Sequence, residues 1–440
     1  MLSPTLLLLV LALYVALLYG VAGWVARKNR EGSFYSASRS VPWLWVAVGM
    51  IGAPMSGVSF ISVPGSVATD SFGYLQMVAG FTLGQLVIAG VLLPLFYRLR
   101  VVSLYEYLEE RFGSESHRVG ALLFLSSKLI LSAFKLLAAT IVLQQLIYAP
   151  LGVPLGVNVL INVAIVWGYT RRGGVRSVVR TDILQTLCLV GAVVGTLFAI
   201  ASASEVGVGE LILTTWQRPE SQILFGGSSP QAWWRMGMGG FLILIAMTGL
   251  DQDMMQRNLS CRTMRASQIN IVLTAICQIF VILLLLAMGV LLYRYVDFAH
   301  LPQPETGDDT FALVAVRGGL PYIAGIMFII GLISSTYSAA GASLTALTTA
   351  FILDIMDGRK RYDEAALTRL RHRTHIVMAA ILFVVILVLK HLASDSIINL
   401  VFTSKFLKKF NSYIRFFHIF RDNHITGTYN NVWFFPIYCL

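Results

Sequence analysis

The chain has 440 residues, of which 57% are hydrophobic and 12% charged, with 37 glycines and a formal net charge of +11. An ordinary soluble domain carries about 25% charge, and one bilayer-spanning helix takes about 20 mainly apolar residues. The composition therefore excludes a soluble enzyme, a disordered chain and a disulfide scaffold, and leaves a polytopic, all-α membrane protein.

Apolar runs predict ten helices, at 5–25, 42–66, 75–97, 119–147, 155–169, 179–203, 236–250, 267–294, 321–350 and 374–393. The first resembles a signal peptide in position only. No basic residue precedes its apolar run, and Arg27, Lys28 and Arg30 follow it, the reverse of a signal peptide's order. A retained first span is expected. The connections between spans alternate in charge: the odd-numbered ones hold 21 Lys and Arg residues and the even-numbered ones hold Arg218, Arg235, Arg294 and Arg317. Basic loops stay cytoplasmic, so the amino terminus is expected outside, in the plasma membrane. The positive charge reports topology and needs no nucleic-acid partner.

The second span reads Gly49-Met50-Ile51-Gly52-Ala53-Pro54-Met55-Ser56-Gly57-Val58-Ser59-Phe60. Proline removes a donor and clashes with the carbonyl four residues back, and the flanking glycines ease unwinding. In lipid, irregular backbone persists where it lines a cavity or a ligand. The run therefore reads either as a broken, ligand-binding helix or as a simple proline kink.

The fourth span carries Lys128 and Lys135, seven residues apart and so on one helical face. Lys135 lies too deep to reach the surface comfortably, and ionisable groups at such depth usually face the bundle interior. Two readings stand. In one, Lys135, with Lys128, attracts an anionic substrate. In the other, the lysines pair internally with Asp182 or Asp251, or Lys128 snorkels to the interface.

The ninth span presents Gly331-Leu332-Ile333-Ser334-Ser335-Thr336-Tyr337-Ser338, then Ser343, Thr345, Thr348 and Thr349. Small and hydroxylated residues let helices pack closely. Adjacent Ser334 and Ser335, together with freed carbonyls of another helix, could also complete an oxygen cage for a small hard cation. Cys188, Cys261, Cys277 and Cys439 have no metal-type spacing, and the chain carries no HExxH, GxSxG or GxxxxGK motif. Neither enzymatic activity nor an organic cofactor is expected.

Several stretches then resemble, in order, the sodium:solute symporter family, the superfamily of sodium/glucose and sodium/proline cotransporters. They are Phe34-Tyr35-Ser36-Ala37-Ser38-Arg39 with Pro42-Trp43; Pro94-Leu95-Phe96-Tyr97-Arg98-Leu99 with Ser103-Leu104-Tyr105-Glu106-Tyr107-Leu108-Glu109-Glu110-Arg111-Phe112; Gly173-Gly174 with Thr181-Asp182 and Gln185; and Asp251-Gln252 with Gln256-Arg257 and Leu259. The resemblance covers residues 1–403, a symporter transmembrane domain, and leaves 404–440 as a non-matching tail. It implies a LeuT-like five-plus-five inverted repeat with an extra N-terminal helix and an incomplete second repeat. Such transporters bind ion and substrate near the midplane, between discontinuous helices.

By the same resemblance, the coupling ion is Na+. It would be held by backbone carbonyls of Gly52, Met55 and Gly331 and by hydroxyls of Ser334 and Ser335. The substrate, a small-molecule solute, would meet Ser56, Ser59, Asp251 and Gln252, with Lys135 added from its depth in the membrane. A cytoplasmic-gate role is the other reading of Asp251 and Gln252. Symport by alternating access in contact with membrane lipid follows, with a transport-deficient fragment or a non-transporting membrane sensor as the alternative. The tail supports that alternative. Residues 404–440 contain no alanine and four asparagines, and Lys405, Lys408, Lys409, Arg415 and Arg421 interrupt any 18-residue apolar run, so a frameshifted or truncated end is expected there.

Overall fold

The computed structural model describes residues 2–27, 43–52, 55–99, 104–171, 174–204, 219–227 and 231–392 apart from 305, together with 209–210, 215–216 and 229. The tail at 404–440 and the stretch 34–42 lie outside the described residues, as do Ala53 and Pro54. Residues 1–386 form one compact unit, which holds every residue of the site described below; residues 387–440 form a second, of which the end of one helix is described.

Helix follows helix along the described chain: α1 (Pro4–Arg27), α2 (Trp43–Gly52), α3 (Gly57–Gly65), α4 (Tyr74–Leu99), α5 (Leu104–Phe112), α6 (Ser114–Tyr148), α7 (Leu155–Thr170), α8 (Gly174–Ala203), α9 (Trp233–Gly249), α10 (Gln252–Asn258), α11 (Met264–Phe298), α12 (Tyr322–Ile355) and α13 (Glu364–Leu392). Seven of these are long and apolar enough to cross a membrane singly: α1, α4, α6, α8, α11, α12 and α13. Two more crossings are bent pairs, α2 with α3 at 57° and α9 with α10 at 72°.

Burial sorts the helices into centre and rim. The most apolar window of α12 is 78% buried, against 28% for α1 and for α13. So α12 forms the middle of the bundle, while α1 and α13 turn Leu9, Leu13, Leu17, Val377, Val384 and Val388 outward, as lipid requires. The central helix can carry many hydroxyls because most bond its own backbone: Thr336 donates to Leu332 O at 2.7 Å, Thr345 to Gly341 O at 2.9 Å and Thr348 to Leu344 O at 2.8 Å. Such back-bonding satisfies the hydroxyl without a partner helix.

α8 packs along α12 and along α2, α6 along α12, and α4 along α9. A polar string ties α7 to α12: Tyr337 donates to Asn162 Oδ1 at 2.7 Å, Asn162 donates to Asn158 Oδ1 at 2.7 Å, and Tyr169 donates to Tyr337 O at 2.5 Å. At the far end of α3, Tyr293 donates to Gly65 O at 2.9 Å; nearer its start, Phe60 packs with Phe311 and Phe328, the ring centroids 4.7–6.1 Å apart.

Candidate functional site

The first break separates α2 from α3. On the described side of it, Met55 N donates to Gly52 O at 3.1 Å, and Ser56 leads into α3 with extended backbone and no side-chain cap. Gly52, Met55 and Ser56 are buried, Met55 to 2% and Ser56 to 3% exposure; Ser59 is half-buried. Gly52 must be small, because a Cβ there would stand 2.5 Å from Thr186 Oγ1 on α8.

Across from this break lies the middle of α12. Gly331, Ser334 and Ser335 are buried, the serines to 0% and 2% exposure. A Cβ on Gly331 would come 2.7 Å from the Cβ of Ala192 and equally strike the Phe60 ring of α3, so this turn of α12 is pressed against both α3 and α8. Both serine hydroxyls donate back into their own helix. Ser334 bonds Ile330 O at 2.6 Å and Gly331 O at 3.1 Å; Ser335 bonds Gly331 O at 2.9 Å and Leu332 O at 3.0 Å. Each oxygen keeps lone pairs that accept nothing from the described residues, the property a cation ligand needs.

The second break had no counterpart in the sequence reading, which ended the seventh span at residue 250. The helix in fact widens to a π-turn at Ile245–Gly249, Leu250 leaves helical geometry, and Asp251 starts a new helix. The local chemistry explains this. Asp251 accepts from Met254 N at 3.1 Å, an N-cap bond, while Asp253 in the first turn and Arg257 in the last suit the helix dipole. Asp251 is therefore a cap inside a broken crossing. π-turns of this kind recur beside functional sites.

Buried charges join the second break to three other helices. Lys128 of α6 donates to Asp251 Oδ2 at 2.8 Å and Oδ1 at 3.1 Å and lies 3.2 Å from Asp253 Oδ2. Arg257 bonds Asp253 Oδ1 at 3.1 Å and Asp182 Oδ2 of α8 at 2.6 Å. Ser338 of α12 donates to Asp182 Oδ1 at 2.5 Å. With its amide oriented to suit its neighbours, Gln185 donates to the same oxygen at 3.1 Å and accepts from Ser338 N at 3.2 Å. Gln252 is buried at 2% exposure on α10.

The two lysines of α6 thus differ in occupation. Lys128 is taken up by Asp251 and Asp253. Lys135 is half-buried, and among the described residues neither a hydrogen bond nor an ion pair reaches its amine. Of the expected substrate set, Asp251 is engaged as cap and ion-pair partner, whereas Lys135 has no direct partner among the described residues. Sequence reasoning passed over Asp253 and Thr186. The acidic first turn after a capping Asp could have flagged Asp253; no local signal marks Thr186.

The comparisons with known proteins agree with this architecture. The model of the sodium:solute symporter family matches residues 34–423, a match that runs on past Thr403. The chain is 27% identical over 362 residues to the sodium-dependent multivitamin transporter of Oryctolagus cuniculus, covering 80% of this chain and 55% of that protein. It is 24% identical over 366 residues to the sodium/iodide cotransporter of Homo sapiens, covering 80% and 56%, and 25% identical to the sodium/glucose cotransporter of Vibrio parahaemolyticus, covering 79% and 68%. The chain spans about half the length of the first two of these relatives. Among solved structures, a Na+-coupled sialic acid symporter in a substrate-bound outward-open state superposes with a TM-score of 0.77 over 90% of this chain and 84% of that one, at 20% identity. The nucleobase-cation-symport transporter Mhp1 in a closed conformation superposes with 0.56 over 84% and 76%, at 15% identity. These likenesses fix the fold as LeuT-like. With two broken crossings facing a central hydroxyl-bearing helix, and a family match across nearly the whole chain, this protein belongs to the sodium:solute symporter family.

Proposed function

We propose that the protein carries a small anionic solute across the plasma membrane together with Na+, by alternating access, with its amino terminus outside. The observation that carries the reading is the packing of α2 and α3, on either side of their break, against α8 and against the Gly331–Ser335 turn of α12. The site offers carbonyls of Gly52, Met55 and Gly331 and hydroxyls of Ser334 and Ser335, an all-oxygen set suited to a small hard cation. Residues in discontinuous helices can change partners when one bundle rocks on the other, so ion and solute each raise the other's affinity. The Na+ concentration gradient drives such symport, and the membrane potential adds roughly 2.3 kcal/mol per 100 mV for each net positive charge moved inward, the solute's negative charge being counted against the Na+.

The anionic class rests on Lys135. A charge inside a membrane protein is normally paired directly, and here Lys128 has direct ion pairs while no described residue pairs directly with Lys135. Relatives of this chain include a sodium/iodide cotransporter and sodium-coupled monocarboxylate transporters, whose named solutes are anions. Ser56, Ser59 and Gln252 are the remaining polar groups proposed for the solute, with Asp251 acting mainly as the partner of Lys128.

Uptake into proteoliposomes from a mixed pool of carboxylates, inorganic anions and neutral metabolites, with and without a Na+ gradient, tests the reading. Accumulation of an anion that depends on the gradient supports it. Replacement of Lys135 by Gln should then abolish anion uptake while Na+ binding persists. Equal uptake with K+ in place of Na+ would refute sodium coupling, and an unchanged anion profile in the Gln variant would refute the anion site.

A further inference from the structure

We propose that the Thr186 hydroxyl is a further oxygen ligand of the coupling cation. The proposal rests on the ion-site reading above, to which it adds a residue of a third element, α8.

Thr186 is 3% exposed, and its Oγ1 is buried with no hydrogen-bond partner among the described residues. Its neighbours on the same helix behave otherwise: Thr181 donates to Val178 O at 3.0 Å and Thr196 to Ala192 O at 2.8 Å. A threonine in a helix ordinarily finds a carbonyl one turn back. A buried hydroxyl that finds none costs about 1–3 kcal/mol, so its position calls for a ligand.

The direction of the hydroxyl is fixed by Gly52. A Cβ on that glycine would stand 2.5 Å from Thr186 Oγ1 and 3.4 Å from its Cβ. The hydroxyl therefore faces the last residue of α2, whose carbonyl begins the break.

Its height in the membrane is fixed by α12. Contacts between α8 and α12 run antiparallel: Asp182 meets Ser338, a Cβ on Gly331 would meet Ala192, and one on Gly195 would meet Met327 at 3.1 Å. Between the first two of these pairs, Thr186 falls level with the turn that starts at Ser334 and Ser335. The Thr186 oxygen thus lies against the end of α2 and at the height of the serine pair of α12. Ser334 and Ser335 keep only acceptor capacity, since their protons are bound to their own helix. A cation is the ligand that all these oxygens can accept together.

The test uses the purified full chain in lipid nanodiscs, with Na+ binding followed by 22Na+ scintillation proximity and by Na+-induced thermal stabilisation. Three variants are compared: Thr186→Val, which keeps the shape and loses the oxygen, Thr186→Ser, which keeps the oxygen, and the double variant Ser334→Ala/Ser335→Ala. Thr186→Val should weaken Na+ binding about tenfold and Thr186→Ser by about twofold or less, in line with the loss of one bond to a charged group. Without Na+, Thr186→Val should be at least as stable as the parent, because it removes an unanswered hydroxyl. Parent-like Na+ affinity in Thr186→Val, with affinity lost in the double serine variant, would overturn the role of Thr186 and leave the site standing. Equal destabilisation of Thr186→Val with and without Na+ would reduce the residue to packing and overturn it also. Parent-like affinity in the double serine variant would overturn the site itself.

Discussion

Lys128 holds both carboxylate oxygens of Asp251, 123 positions away along the chain, at 2.8 and 3.1 Å. The bond fastens α6 to the first residue before α10, and Asp253 at 3.2 Å shares the same amine. From there Arg257 and Asp182 extend the chain of charges to α8, and Ser338 extends it to α12. The second break is thus clamped from three sides by charged or hydroxyl groups, and any motion that opens it must part at least one of these pairs.

Replacing Lys128 by Met should destabilise the protein strongly. It removes the direct ion-pair partner of Asp251 and one of the two of Asp253, and breaking a buried pair costs about 3–5 kcal/mol. The double variant Lys128→Met/Asp251→Asn should recover part of that loss. Thermal unfolding in detergent measures both. A single variant as stable as the parent would mean that the clamp contributes nothing.

Tyr337→Phe should cost about 1–3 kcal/mol, because Asn162 Oδ1, buried between α7 and α12, loses its donor. The aromatic packing remains, so the loss isolates the hydroxyl. Unfolding curves of the parent and of the Phe variant decide this, and superimposable curves would rule it out.

The seam between α4 and α9 should reject any added side chain. A Cβ on Gly80 would overlap the backbone carbonyl of Gly237, and one on Gly240 would overlap that of Met77. Neither obstacle can move without moving a helix. Gly80→Val is expected to prevent correct assembly, by more than the roughly 1–3 kcal/mol of ordinary overpacking. Size-exclusion profiles of the tagged protein in mild detergent report it, and a monodisperse parent-like peak would contradict the seam.

A pH dependence is expected from Asp308, in the segment before α12 and outside the membrane crossings. Burial raises its carboxyl above the ordinary carboxylate value, opposed by a hydrogen bond from Ser62 and reinforced by the nearby charge of Asp309. A carboxyl raised in the folded state binds its proton more tightly there than in the unfolded chain. Its stabilising effect is therefore present in acid and lost as pH rises from the ordinary value through the raised one. Asp308→Asn should remove this slope and leave the protein more stable at neutral pH. Melting temperatures across mildly acidic to neutral pH compare the two, and parallel curves would dismiss the effect.

Part of this architecture is one-dimensional and was legible in the sequence. Apolar runs near 20 residues announce crossings because lipid offers backbone groups no other partner than their own helix. The break after Gly52 could be read from Pro54 between glycines, since a missing donor and a missing side chain are properties of single residues. Ser334 and Ser335 stood out for the same reason, as two adjacent hydroxyls in an apolar helix.

Other decisions belong to the tertiary structure. Lys128 and Lys135 are the same residue type on one face of one helix, so no local property says which of them is neutralised. The Asp251 and Asp253 carboxylates settle it by standing within reach of one amine and not of the other. The second break is fixed by a cap bond that forms only once Asp251 leaves the helix. Thr186 is an unremarkable residue in sequence and acquires its interest solely because α2 and α12 meet beside it. Composition and spacing act over a few residues, whereas ion pairs and unanswered hydroxyls depend on separations of a few ångströms between groups far apart along the chain, and packing alone fixes those.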